Sequence, residues 1–327
     1  MTLKKASEIQ VCGETILPGE SKEINLNVAK LHTNTAIEIP IIIERSKFEG
    51  PTVLFSAGIH GDEVNGIEIV RQLIAKGINK PKTGMIICIP IVNIFGFIHK
   101  SREFPDGRDL NRAFPGSKNG SLASRLAYRL SKDILPHVDY CFDFHTGGSS
   151  RFNAPHVRVI PNDKKLKKLS EVFNAPFILH SKNIKKSFRS HCTKKGIPML
   201  LFEGGKSNSI DSIICNCGVN GSKRVLDYLG MLPNKFKVSA RSKPSILITK
   251  STWLRAQSSG MFKPATKVGA LVKRGDVLGY ITDPYGKSNS WIRAANQGYI
   301  INLNESPIVY QGDALFHIST SLGSVKK

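Results

Sequence analysis

The first fifty residues alternate weakly between polar and apolar positions, as in SKEINLNVAKLHTNTAIEIPIIIERS, and predict strands leading into the body of the chain. From residue 51 the rhythm changes. TVLFSAGI is a continuous apolar run, the pattern of a strand covered on both faces. In DEVNGIEIVRQLIAKG the apolar Val64, Ile67, Val70, Leu73 and Ile74 recur at helical spacing, and Gly77 suits a helix C-terminus. GMIICIPIVN predicts the next strand, SLASRLAYRLSKDILPHV a second amphipathic helix, and DYCFDFHTGG a strand ending in His and Gly. HVRVIPN, KKLKKLSEVFN and IPMLLFEGG continue the alternation, and a last helix is expected near 210–231. The pattern predicts an α/β fold: a mixed, mostly parallel sheet with helices on both faces.

Around 233–247 the texture shifts, and beyond it no helical period survives. Short apolar runs broken by Gly, Asp and Pro predict a small all-β domain over 245–327, after a larger domain over 1–235 that includes the strands of residues 1–50. VKRGDVLG and VYQGDALF share one form and read as a weak internal repeat. The segment resembles the barrel-sandwich module of biotinyl and lipoyl carriers. Lys287, in DPYGKSNSW, lacks the tight, Met- or acid-flanked hairpin of a modified lysine, so no lipoylated or biotinylated arm is expected. Architecture, oligomer contacts or substrate gating are the roles left to this domain.

No apolar run approaches the ~20 residues of a membrane span, and MTLKKASEIQVCGE has no apolar core of a secretory signal. The six cysteines are scattered, Cys88 and Cys141 within expected core strands, and Cys215 and Cys217 lack metal or redox spacing. These features predict a reducing cytoplasm without disulfides. The 47 basic against 25 acidic residues make a formal charge of +22. Such an excess fits nucleic acid, a small anionic substrate, or lysine used for solubility. Residues 163–195 hold ten Lys/Arg against Asp163 and Glu171, with no aromatic interleaving, so a solvated face is expected there rather than a nucleic-acid groove.

Ligands of α/β sheets bind beyond the carboxyl ends of the strands. At three such rims stand His60 with Glu63, His145 in DFHTGG, and Glu203 in LLFEGG. His60 and Glu63, three apart where a strand turns into a helix, can share one ion. A distant His completes a His₂Glu set with an open fourth position, which suits catalytic rather than structural zinc. Taken singly, these residues have plainer readings: a helix-capping His60, a Glu63 set against the helix dipole, a core-bonded His145. Asp62 either orients a ligand or caps the helix, and Asp143 shares the face of His145 by strand alternation. The loop NIFGFIHKSREFPDGRDLNRAFPG adds Asp109 and Asn111 together with Arg102, Arg108 and Arg112, whose guanidinium forks suit carboxylates and a developing oxyanion.

GIHGDE, DLNRAFPG, FDFHTGG and FEGG, in this order and spacing, resemble the succinylglutamate desuccinylase/aspartoacylase family over roughly residues 50–230. The resemblance implies a zinc carboxypeptidase-like fold with a second β domain. It also implies one zinc per chain held by His60, Glu63 and His145, and Glu203 as the catalytic carboxylate. Asn111 and Arg112 would hold a substrate carboxylate. Arg102 would polarise the scissile carbonyl, with Arg108 competing for that place. The expected reaction is zinc-dependent hydrolysis of the amide of an N-acyl amino acid or similar carboxylate-bearing molecule, by metal-activated water with Glu203 as general base. The rivals are a carboxypeptidase-like peptide hydrolase and a non-catalytic binder of anionic polymer. A small anionic substrate is the expected partner, a homo-oligomer is left open, and neither membrane nor nucleic acid is expected.

Overall fold

The computed structural model describes residues 3–30, 32–238 and 243–323. Two short strands, β1 (Ile9–Val11) and β2 (Glu14–Ile16), form a hairpin. A long antiparallel pair follows, β3 (Ser21–Lys30) and β4 (Ala36–Arg45). Ile24 and Leu26 of β3 are buried between exposed polar neighbours, and Val28 is buried in the same phase, as period-two alternation demands for a one-sided strand. The fully buried β5 (Thr52–Ala57) then feeds α1 (Val64–Ala75), with Gly77 just past its end, and β6 (Met85–Ile89).

The loop after β6 carries a short helix absent from the sequence reading, α2 (Ile94–His99), and a 3₁₀ turn at Leu110–Arg112. Next come α3 (Leu122–Arg129), whose continuation loosens into a π turn at Leu130–Ile134, then β7 (Tyr140–Gly147) and β8 (Arg151–Val159). The chain continues through α4 (Lys164–Phe173), β9 (Phe177–His180), α5 (Phe188–Lys194), β10 (Met199–Lys206) and α6 (Ser212–Tyr228). Neither β9 nor α5 was expected as a separate element.

The remainder is β: β11 (Ile246–Arg255), β12 (Gly260–Pro264), β13 (Leu271–Val272), β14 (Val277–Thr282), β15 (Asn289–Arg293), β16 (Gly298–Asn304), β17 (Ile308–Val309) and β18 (Ala314–Gly323). The expected change of texture near 233–247 falls partly on residues 239–242, outside the described residues.

Twelve strands join in the order β13-β16-β18-β11-β9-β8-β10-β7-β5-β6-β4-β3, and β16 also pairs with β8. The strands β8, β9, β11, β18 and β16 therefore close into a five-strand ring. A second sheet, β15-β14-β12-β17, lies apart in hydrogen bonding. Parallel pairing is confined to β5 with β6 and β7, β7 with β10, and β9 with β8 and β11. Antiparallel pairs predominate, which corrects the expectation of a mostly parallel sheet. The reason is connection length. A parallel neighbour needs a crossover of a dozen or more residues. Only residues 148–150 separate β7 from β8, so β8 returns antiparallel and lies against β10. The short turns after residue 245 reverse the chain in the same way.

Strand alternation divides the core. Val53, Phe55, Phe142, Phe144, Leu200 and Phe202 pack with α1, α4 and α6 on one face. Leu54, Cys141 and Met199 pack with α3, α5 and the β3–β4 hairpin on the other. Helices thus cover both faces, as expected. Removing a ring such as Phe144, fully buried beneath the site, would cost about 3–5 kcal/mol.

The V-x-x-G-D repeat proves to be one turn used twice. Asp276 Oδ2 accepts from Lys273 N, and Asp313 Oδ2 accepts from Tyr310 N, each at 2.8 Å. Gly275 and Gly312 take φ of 90° and 93°, a region open to glycine and strained for other residues. Of the basic run 163–195, Lys164, Lys165, Lys167 and Lys168 are exposed along α4. Among the described residues no helix is long and apolar enough to cross a membrane. All six cysteines are free thiols, with Cys88 and Cys141 buried.

Candidate metal centre and active site

The carboxyl ends of β5, β7 and β10 meet at one rim. On β7 the alternation that sends Phe142 and Phe144 toward α1 sends Asp143 and His145 the other way. On β10 it turns Glu203 to that same side, opposite His145 in the parallel register. His60 and Glu63 lie in the turn between β5 and α1. Three strand ends distant in sequence thereby bring His60 with Glu63, His145 and Glu203 to one cavity of about 240 Å³.

Glu63 is the centre of the cluster. Its Oε1 lies 2.7 Å from His60 Nδ1 and its Oε2 2.8 Å from His145 Nδ1, and Thr146 N donates to Oε2 at 3.0 Å. One ligand atom from each of His60, Glu63 and His145 falls within 4.8 Å of the others, and all three side chains are buried. His145 Nε2 faces Asp143 Oδ2 at 2.7 Å, and Ser56 Oγ donates to Asp143 Oδ1 at 2.7 Å. The far nitrogen of His145 is thus engaged by a carboxylate, the arrangement that leaves Nδ1 for an ion.

Burial opposes charge on all three residues, yet their mutual attraction outweighs it. Glu63 is held far below the usual carboxylate range by His60 and His145. His60 is raised by Glu63 and Asp109, and His145 well raised by Asp143 and Glu63. Two imidazoles and one carboxylate converging in a buried pocket fit a borderline-soft dication such as zinc, which His60, Glu63 and His145 would hold. Among the described residues, His60 Nε2 is buried without a well-aligned hydrogen bond, and Asp109 Oδ1 lies 3.3 Å from it.

Asp109 organises the loop above the cluster. Its Oδ2 receives Arg102 Nη2 at 2.9 Å and Nε at 3.3 Å, and its Oδ1 receives Asn111 N at 2.7 Å. Burial opposes this charge too, but His60 and Arg102 hold the carboxyl well below its usual range. So held, Arg102 reaches to 3.2 Å from His60 Nδ1 and 3.6 Å from Glu63 Oε1. Asn111 Oδ1 accepts from Phe188 N at 2.9 Å, at the start of α5, which leaves its amide NH₂ as the group able to meet an anion. Arg112 lines the cavity, with Nη1 donating to Asn111 O at 2.7 Å. Arg108 does not line it. Its side chain is 64% exposed and lies beside Asp106, Nε to Oδ2 3.5 Å.

Glu203 is held on both oxygens: Asn153 Nδ2 donates to Oε2 at 2.8 Å, and Arg158 Nε lies 3.2 Å from Oε1. Asp62 meets neither expectation. Among the described residues its side chain bonds no ligand and caps no helix, and its Oδ1 is buried without a partner. The two glycines after His145 also divide their work. A Cβ at Gly147 would lie 1.8 Å from Arg151 O, so the turn into β8 requires glycine there. A Cβ at Gly148 would meet nothing closer than the guanidinium tips of Arg151 and Arg102 at 3.9 and 4.0 Å.

The cavity also takes residues that motif reading missed: Arg151, Asn153 and Arg158 from β8, Arg189 from α5, Trp253 from β11 and Asn302 from β16. Arg189 is the buried exception in the basic run. Burial and the nearby Arg158 push its guanidinium down to about 10, and among the described residues its Nη1 has no hydrogen-bond partner.

Residues 49–229 match the succinylglutamate desuccinylase/aspartoacylase catalytic domain, more than half of the chain. The chain belongs to this family. It is 25% identical over 261 residues to the N-alpha-acetyl-L-2,4-diaminobutyric acid deacetylase of Halomonas elongata, covering 76% of this chain and 75% of that one. The crystal structure of a succinylglutamate desuccinylase/aspartoacylase from Rhodobacter sphaeroides superposes with a TM-score of 0.82 at 24% identity, over 98% of this chain and 100% of that one, a likeness of fold. An aspartoacylase family protein from Mesorhizobium loti superposes at 0.78 with 26% identity, over 93% and 96%.

Proposed function

We propose that this chain is a zinc-dependent amide hydrolase that deacylates an N-acyl amino acid or a similar carboxylate-bearing amide. The observation that carries the reading is the convergence in one cavity of the His60–Glu63–His145 cluster with a separate carboxylate, Glu203, and a ring of guanidinium groups. Family membership and the deacetylase named among its relatives support the same class of reaction.

Zinc, when bound by His60, Glu63 and His145, supplies Lewis acidity and a water of lowered pKa. The protein's own groups do the rest. Glu203, in reach of the rim, accepts a proton from the attacking water and passes it to the departing amine. Arg102, tethered by Asp109, presents N–H groups to the oxyanion that develops on the scissile carbonyl. Arg112 and the Asn111 amide hold the substrate carboxylate and set the register of the bond.

The cavity lining favours further negative charge on the substrate. Arg102, Arg112, Arg151, Arg158 and Arg189 border a space that also holds Glu63, Asp143 and Glu203. A side-chain ammonium like that of diaminobutyrate would face these guanidinium groups, whereas a second carboxylate would be met by them.

Elemental analysis of protein purified without chelator, wild type beside His145→Ala, tests the metal. About one zinc per chain in the wild type and none in the variant is expected. Release of free amino acid from N-acyl amino acids, and not from peptides, tests the reaction. Turnover of peptides alone would replace this reading with the carboxypeptidase-like one.

A further inference from the structure

A line of buried amides crosses the seam where the five-strand ring closes. Asn302 of β16 lies opposite Asn153 of β8 in the antiparallel register. Asn302 Nδ2 donates to Asn153 Oδ1 at 2.7 Å, and Asn153 Nδ2 donates to Glu203 Oε2 at 2.8 Å. The two asparagines are 3% and 4% exposed.

The polarity of this line follows from one charge. An ionised carboxylate only accepts, so Asn153 must turn its NH₂ toward Glu203. Its carbonyl oxygen then faces Asn302, which must answer with its own NH₂. Remove that donor and Asn153 loses the contact that fixes its amide plane. Reverse it to an acceptor and Asn153 is driven to flip, setting carbonyl oxygen against the carboxylate of Glu203. Arg158 Nε stands at the other oxygen, 3.2 Å from Oε1.

We propose that Asn302, supplied by the C-terminal β segment, is a positioning residue that acts through Asn153 to hold the carboxylate of Glu203 in its working orientation. The catalytic part of the proposal rests on the reading of Glu203 as general base. The geometric part does not. Closure of the barrel, on this view, completes the active site rather than merely covering it.

The test joins crystal structures to kinetics, in metal-loaded protein, for Asn302→Leu and the gentler Asn302→Ser. Zinc content and thermal melting confirm that the ion and the fold are retained. In the variants Glu203 is expected to leave hydrogen-bond distance of Asn153. The kcat on the faster of two probes, N-acetyl-L-aspartate and N-acetyl-L-2,4-diaminobutyrate, is expected to fall about 10–100-fold with KM little changed. Asn302→Asp should fall further than Asn302→Ser. In a Glu203→Asp background, whose shorter side chain no longer reaches Asn153, Asn302→Ser should add no further loss. A Glu203 carboxylate unmoved in both variant structures would overturn the proposal, as would losses that simply multiply in the Glu203→Asp background. Failure of the underlying reading looks different: Glu203→Gln would then keep full turnover, whatever Asn302 does.

Discussion

His145 turns Nε2 to Asp143 Oδ2 at 2.7 Å and so keeps Nδ1 for the centre of the cluster. The pair is buried, two positions apart on β7, and steadied by Ser56 from β5. Asp143→Asn should keep the shape and lose the charge that orients the imidazole. Zinc affinity, measured by competition with a chromophoric chelator, is expected to weaken about 10–100-fold. An unchanged affinity would remove Asp143 from the metal site.

Glu203 is not one of the three clustered residues that could hold an ion, His60, Glu63 and His145. Glu203→Gln should therefore retain zinc while kcat falls about 10²–10⁴-fold, the range for losing a general acid–base group. Full activity in a zinc-loaded variant would end its assignment as the base.

The three arginines of the loop should separate kinetically. Arg102, tied to Asp109 and reaching toward the cluster, is expected to act on kcat, and Arg102→Ala to lower it about 10²–10³-fold. Arg112→Ala should act chiefly by raising KM. Arg108, pointing to solvent, should be nearly silent, with stability changed by no more than about 0.5 kcal/mol. A large kcat loss in Arg108→Ala would return to it the role proposed above for Arg102.

The C-terminal segment should report on pH. His317 of β18 stacks on Trp253 with ring centroids 4.6 Å apart, and lies 2.8 Å from Ser251 Oγ. Burial, with Arg158 nearby, pushes its imidazole down to about 4. Between about 4 and 6.5 the unfolded chain then binds the extra proton and the folded one does not, so stability falls as pH drops through that window. At ~1.36 kcal/mol per unit, the full effect is about 3 kcal/mol. His317→Gln should flatten the loss of stability between pH 6.5 and 4 in urea unfolding. An identical acid limb in the two proteins would contradict this account.

Local order is what the chain's own pattern carried. Apolar runs and helical spacing located β5, α1, β6, β7, β10 and α6, because burial on one or both faces is written into adjacent residues. His60 and Glu63 were legible as a pair because three positions of a strand-to-helix turn suffice to join them. Asp143 was legible because alternation on a strand admits only two faces. Other facts had no local signal. The direction of β8 depended on the length of its connection and on which strand it met. Asp109 became the hub of its loop only when that loop folded over His60. Arg158, Arg189, Trp253 and Asn302 reach the cavity from segments far apart in sequence, and the closure of β16 on β8 sets Asn302 opposite Asn153. The sequence by itself determined the rims, the ligand types and the alternation of elements, since these follow from side-chain chemistry and short-range geometry. Only the tertiary structure decided strand direction, the barrel, and the partners of Glu203, since hydrogen bonding between distant strands sets register and register sets which side chains meet.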